Sequence, residues 1–138
     1  MAIFYDYTIT VNGDKASLNK DIYIYKDNRN IIYYFSIKNA PFKFVDLTDM
    51  IESTDATYAN IKILKPNGAK EKFSNIPIEN GRIKLKIDKE FADEISEIGD
   101  YTFQIDLFDN DNGFITIPPV YKQLHVLKAL FDDDSVTE

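Results

Sequence analysis

Cysteine is absent from this chain. No disulfide can staple it, no thiolate can hold a metal, and no cysteine can serve as a nucleophile. Long apolar runs are absent too, so no segment reads as a membrane-spanning helix, and a membrane is not an expected partner. The first residues, MAIFYDYTIT, lack the basic stretch, apolar stretch and small-residue cleavage site of a secretory signal. Glycine is scarce, with five in all, and each sits at a turn, which leaves no glycine-rich loop to cradle a phosphate. Positive charge is in deficit, with 16 Lys and Arg against 23 Asp and Glu, a net charge of −7. Surfaces that gather phosphates are normally basic, so nucleic acid is not an expected partner either.

What remains is ample core material. Hydrophobic residues make up 44% of 138 positions and aromatics 14%, enough for one continuous core in one domain. The dominant pattern is alternation, the mark of strands with one buried face. Tyr101, Phe103, Ile105 and Leu107 share one face against Thr102, Gln104 and Asp106. Ile83, Leu85 and Ile87 alternate with Arg82, Lys84 and Lys86 in the same way, as do Tyr5, Tyr7, Ile9 and Val11 with Asp6, Thr8 and Thr10. Further strand-like runs cover residues 22–25, 32–38, 59–65, 71–76 and 120–127, rich in the β-branched and aromatic residues that strands prefer. Turn signals punctuate them: Asn12-Gly13, Pro66-Asn67-Gly68, Asn80-Gly81, and the polar stretch 109–113. Many short strands at this spacing predict an all-β sandwich or barrel, and two packed, mainly antiparallel sheets are the expected arrangement. One helix is expected over residues 89–98, capped by Asp88 and stopped by Gly99, with Phe91, Ile95 and Ile98 on its apolar face. Residues 40–55 read as a loop with one helical turn. The domain is expected to span residues 1–128, and residues 129–138 to form an acidic tail or the start of a linker.

Catalytic patterns are thin. His125 is the only histidine, and it shares strand parity with Tyr121 and Gln123, so it reads as an ordinary outward-facing side chain; no nucleophile-elbow motif accompanies it. The stretch 109–113 looks like half a calcium loop, but its glycine falls fifth rather than sixth, and Val120 stands where the bidentate glutamate belongs. Hairpin geometry explains its residues, and no metal is expected there. Glu90, Asp93, Glu94 and Glu97 fall away from the apolar face of the expected helix and read as solvated surface. No enzymatic activity and no cofactor are expected. The more informative residues are aromatics on faces that are otherwise polar: Phe4, Tyr34, Tyr58 and Tyr121. Such rings serve either as cross-strand pairs on a solvated sheet or as a contact surface for another protein.

As an ordered set, these segments resemble a known family. The stretch 98–109, IGDYTFQIDLFD, followed by 113–120, GFITIPPV, is similar to the later half of the N-terminal domain of phage baseplate upper proteins. The run 61–68, IKILKPNG, resembles that domain's strand-to-hairpin step. The run 81–87, GRIKLKI, with Phe91 and Ile95 after it, resembles its strand-to-helix step, and residues 22–38 its opening strands. The resemblance covers most of residues 3–127. It implies an immunoglobulin-like sandwich in the virion of a tailed phage, made in the host cytoplasm and built into the tail baseplate. It implies a structural adaptor that joins a fibre or receptor-binding protein to the tail's central ring, as a homo-oligomer, with Phe4, Tyr34, Tyr58 and Tyr121 as candidate protein-binding residues. No heptads are sustained along the chain, so the coiled-coil stem of that family does not lie within these 138 residues. The alternative function is a carbohydrate-binding sandwich that contacts the host wall, with Tyr34 and Tyr58 as sugar platforms.

Overall fold

The structure, a computed structural model, describes residues 3–39, 43–44, 57–79, 82–109 and 113–130. The strands in chain order are β1 (Ile3–Asn12), β2 (Lys15–Leu18), β3 (Ile22–Tyr25), β4 (Ile31–Asn39), β5 (Lys43–Phe44), β6 (Thr57–Leu64), β7 (Lys70–Glu79) and β8 (Arg82–Ile87). A helix, α1 (Lys89–Glu94), follows, and then β9 (Gly99–Asp109), β10 (Gly113–Thr116) and β11 (Val120–Leu127).

Alternation holds along these strands. On β8, Ile83, Leu85 and Ile87 are buried; on β9, so are Tyr101, Phe103, Ile105 and Leu107. What alternation does not determine is how the strands close. Eight of them form one ring in the order β9-β6-β7-β8-β4-β1-β2-β11, and β11 returns to pair with β9. The molecule is therefore a closed eight-stranded β-barrel, which corrects the expected two-sheet immunoglobulin-like sandwich. A strand with one apolar face satisfies either architecture, because both bury that face against other apolar faces. The deciding feature is long-range pairing. β9 is long enough to bond β6 along one edge and, in succession, β11 and β10 along the other. The pairing is also less antiparallel than expected: β1 and β4 run parallel over nine residue pairs, from Ile3↔Ile31 to Val11↔Asn39.

The hairpin expected at Pro66 joins β6 to β7. Gly68 N donates to Lys65 O at 2.9 Å, and Asn67 Oδ1 accepts from Ala69 N at 2.8 Å. β9 and β10 pair antiparallel from Asp109↔Gly113 inward, as a hairpin reading of 109–113 requires; residues 110–112 lie outside the described residues, as do most of 40–55.

The helix begins where expected, with the Asp88 side chain accepting from Phe91 N at 2.9 Å. It is shorter than expected and ends at Glu94. Phe91, Ala92 and Ile95 are buried against the barrel end, and Phe91 lies 4.3 Å from the Phe73 ring. Ile98, expected on the helix, is instead 45% exposed on the segment that crosses back to β9. Tyr101 anchors that crossing: it is fully buried, and its hydroxyl donates to Glu97 O at 2.6 Å. Burial pushes its phenol up to about 12. With the helix seated, the barrel interior keeps about 10 Å³ of open space among Ile22, Tyr33, Ile61, Phe91 and Phe103. That is the lower limit for a single water.

Candidate docking surface

Outward-facing positions on β1, β4, β6, β7 and β8 form a band around the barrel. Tyr34 on β4 is flanked in register by Asp6 on β1 and Lys84 on β8. Tyr58 on β6 is flanked by Pro77 on β7 and Phe108 on β9. β7 and β8 pair at Ile78↔Ile83, so the next positions along, Pro77 and Lys84, are neighbours. Tyr34 and Tyr58 thus lie on one row, three strand spacings or about 14 Å apart. Phe4, 57% exposed, stacks on Tyr34 with ring centroids 6.0 Å apart. The Arg82 guanidinium lies 4.3 Å from the Tyr34 ring centroid and also pairs with Asp6. Tyr58 lies parallel to Phe108 at 5.0 Å. The band is an aromatic surface with a fixed cation on one ring, and cross-strand stacking holds its rings in place.

Tyr121 stands on a different flank. Between Val120 and Leu124, β11 carries two residues more than the facing Phe103 to Tyr101 segment of β9. The bulge puts Lys122 at φ +53° and turns Tyr121 outward, 65% exposed. A non-glycine residue there is uncommon, and bulges of this kind re-aim side chains. Tyr121 divides two grooves. One, of about 630 Å³, is walled by Lys62, Lys70, Lys72, Thr102, Pro119 and Tyr121. The other, of about 480 Å³, is lined by Thr10, Asn12, Lys15 and Ser17. The structure therefore brings Phe4, Tyr34 and Tyr58 onto one band and leaves Tyr121 apart from them.

Sequence reasoning passed over another exposed group. Ile3, Tyr5, Tyr23 and Tyr25 are all exposed near one barrel end. Tyr23 and Tyr25 alternate with buried Ile22 and Ile24, so their outward parity was readable. Tyr5 was not: it shares parity with buried Tyr7, but β3 pairs with β11 and not with β1, so among the described residues the start of β1 has a strand on one side only.

His125 is not an ordinary surface side chain. Its Nε2 lies 2.7 Å from Asp21 Oδ2, its Nδ1 lies 2.6 Å from Asp100 Oδ1, and its ring stacks on Tyr23 at 4.8 Å. A neutral imidazole donates from only one nitrogen, so two carboxylate partners call for the doubly protonated ring. Burial pulls its pKa down, but the hydrogen bonds it donates to Asp100 and Asp21 and their charges outweigh that, and the pKa sits above its ordinary value. Asp21 is held below the usual range by hydrogen bonds from Gln123 and His125. Gln123 also reaches the Leu18 main chain, accepting from Leu18 N at 2.8 Å. The cluster ties β3, β9 and β11 together. With both nitrogens engaged, His125 has none free to take a proton from a nucleophile. Of the carboxylates expected on solvated surface, Asp93 pairs with Lys89 and Glu94 with Lys65; Glu97 corrects that expectation, because it lies past the helix end with its Oε1 buried and without a hydrogen-bond partner among the described residues. Among the described residues, no group of three or more His, Asp or Glu is placed to hold a metal ion.

No protein-family profile matches the chain, and no curated protein sequence does. Among solved structures it is similar in fold to the N-terminal domain of phage TP901-1 ORF48, with a TM-score of 0.59 and 9% sequence identity, over 91% of this chain and 99% of that one. The likeness is one of fold: it runs over nearly the whole of both chains at a sequence identity too low to show more.

Proposed function

We propose that this domain is a non-enzymatic structural component of a tailed-phage baseplate, an adaptor that docks a fibre or receptor-binding protein onto the tail's central ring. The observation that carries the reading is the shared fold: nearly the whole chain superposes on nearly the whole of a phage domain. The surface supports the same reading. A filled barrel has no interior site to offer, and its outer wall presents the aromatic band of Phe4, Tyr34 and Tyr58. Contact cores are enriched in aromatics and arginine, and Arg82 over Tyr34 supplies both at one spot. The band suits a protein partner better than a sugar. A sugar platform needs a free ring face, and Tyr34 has both Phe4 and the Arg82 guanidinium on its ring. In this reading the domain works in the virion, in several copies, after assembly in the host cytoplasm. Mass spectrometry of purified virions tests it. The chain should be present in fixed ratio to the tail ring protein, and its absence from intact particles would refute the assignment.

A further inference from the structure

The groove beside Tyr121 has a charge arrangement that barrel folding does not require. Lys62 on β6 and Lys72 on β7 are directly opposite in register, a like-charge pairing that sheets normally avoid. Lys70 stands two residues before Lys72 on the same face, opposite Leu64, which is 40% exposed. Lys62 and Leu64 in turn pair with Gln104 and Thr102 on β9, so β6 and β9 form a floor between the β7 lysines and Tyr121. Asp106 holds Lys62 at 3.2 Å, but among the described residues neither Lys70 nor Lys72 has a carboxylate partner. Glu71 between them does not supply one, because it lies opposite buried Ile63 and takes the inner face of the sheet. Pro119 and Tyr121 form the far wall, and the bulge that holds Lys122 at φ +53° keeps the Tyr121 ring exposed. The groove thus has ammonium groups along one side and apolar rings along the other, in a chain whose net charge is −7.

We propose that this groove docks an extended acidic segment of a partner protein, one in which carboxylates alternate with apolar side chains. Spacing, sidedness and charge favour that occupant. Lys70 and Lys72 are about 7 Å apart along β7, and same-side residues of an extended peptide repeat at the same interval. Successive side chains of such a peptide point to opposite sides. Carboxylates at alternate positions therefore meet the lysines, while the residues between them meet Tyr121 and Pro119. β7 and β11 lie three strand spacings apart, about 14 Å, which admits one extended chain over the β6–β9 floor. The positive charge is local, on a molecule that is acidic as a whole. A short acidic segment stays within the groove, whereas a long polyanion runs on over a chain that repels it. The groove is separate from the aromatic band, and the inference goes beyond the baseplate reading without depending on it.

The probe is a short synthetic peptide that alternates glutamate with valine, added at low salt to the isotope-labelled full chain. The amide signals of Lys72, Thr102, Gln104 and Tyr121 should shift saturably while those of Tyr34 and Tyr58 stay in place. Lys70→Glu with Lys72→Glu should weaken binding by about tenfold or more, and Tyr121→Ser should weaken it several-fold. Lys72→Glu sets a carboxylate opposite Lys62, so the double variant should melt no lower than wild type, which separates lost binding from lost folding. Lys70→Gln with Lys72→Gln should act in the same direction by a smaller factor. A peptide of the same composition with its glutamates consecutive should bind several-fold more weakly, since fewer of its carboxylates then face β7. No saturable shift at the groove, or binding that survives both double lysine changes, would overturn the proposal. So would tighter binding of inorganic polyphosphate of equal charge, which would assign the groove to a phosphate polymer.

Discussion

Gly99 begins the strand that closes the barrel, and its replacement has a cost that the structure divides into two parts. Its φ is +145°, a conformation that side-chain-bearing residues rarely adopt, and a Cβ there would lie 2.8 Å from Pro66 Cγ and 3.1 Å from Pro66 Cβ. Gly68 provides the comparison: its φ is +92°, and a Cβ would meet nothing within 4 Å. Gly68→Ala therefore carries the conformational penalty alone, about 1–3 kcal/mol. Gly99→Ala carries that penalty plus overpacking against a proline ring fixed in a hairpin, a further cost of about 1–3 kcal/mol. Urea denaturation of both variants should place Gly99→Ala below Gly68→Ala by the second amount. A double-mutant cycle isolates it. Pro66→Ala removes Cγ, the atom 2.8 Å away, and leaves Cβ at 3.1 Å, so Gly99→Ala should lose most of its excess and the pair should be non-additive by about 1–3 kcal/mol. Strict additivity, or equal costs for the two glycines, would refute the claim that Pro66 and Gly99 are in steric contact where β9 starts.

Three further outcomes follow from the same geometry. Phe103→Ala should destabilise the fold by about 3–5 kcal/mol, because this buried ring packs on Phe35 at 5.8 Å; Gln104→Ala, which loses a 3.0 Å bond to Ile117 O, should cost about 0.5–1.5 kcal/mol in the same melts. His125→Gln should cost about 1–3 kcal/mol near pH 6, where it removes the charged partner of Asp21 and Asp100. The pKa of His125 is raised in the folded state, so its contribution is fully present below the unfolded value of about 6.5 and is lost as pH rises through the folded value; thermal melts from pH 6 to 9 should show a fall in wild type that the variant lacks, and parallel curves would remove the imidazolium clamp.

How much of this was readable depends on the range over which each feature is determined. Strand parity is local, and it was readable: Tyr101, Phe103, Ile105 and Leu107 are buried as their spacing predicts. Thr102 and Asp106 on the opposite face are buried as well, at 8% and 6% exposure. Asp106 lies under Thr116, whose hydroxyl donates to it at 2.7 Å, and under Lys62. Those partners arrive from β10 and β6, and no rule of alternation announces them. Closure was unreadable for the same reason. The parallel β1–β4 pair joins residues 28 positions apart (Ile3↔Ile31), and a parallel strand alternates as an antiparallel one does. His125 gave no signal because Asp21 and Asp100 lie 104 and 25 residues away in sequence. The helix start was legible in Asp88, but its end was not. It stops at Glu94 because residues 95–98 must carry the chain back to Gly99, a constraint set by the barrel and not by helix propensity.

Closure also changes what the outward aromatics can do as a set. On a sandwich, Phe4, Tyr34, Tyr58 and Tyr121 could share one face. On the barrel, the first three occupy one band and Tyr121 stands by the lysine groove. In the proposed adaptor reading the band is the docking face, so it should fail independently of Tyr121. Tyr34→Ser with Tyr58→Ser should weaken docking to the tail ring by about 2 kcal/mol or more, the scale of a contact hot spot. Both rings lie on the outer wall, so folding should survive the change, and melting of the purified variant checks that. Tyr121→Ser should leave ring-protein retention near the wild-type level. Moderate salt should matter less to retention than the double substitution, because exposed charges are screened while apolar contact is not. Retention of the ring protein by tagged domain in phage lysate reads all three. If the double variant holds the ring protein as wild type does, the aromatic band is not the docking face. The edge of β1 beside exposed Ile3 and Tyr5, which pairs with no strand among the described residues, would then be the next surface to test, by addition of a strand from the partner.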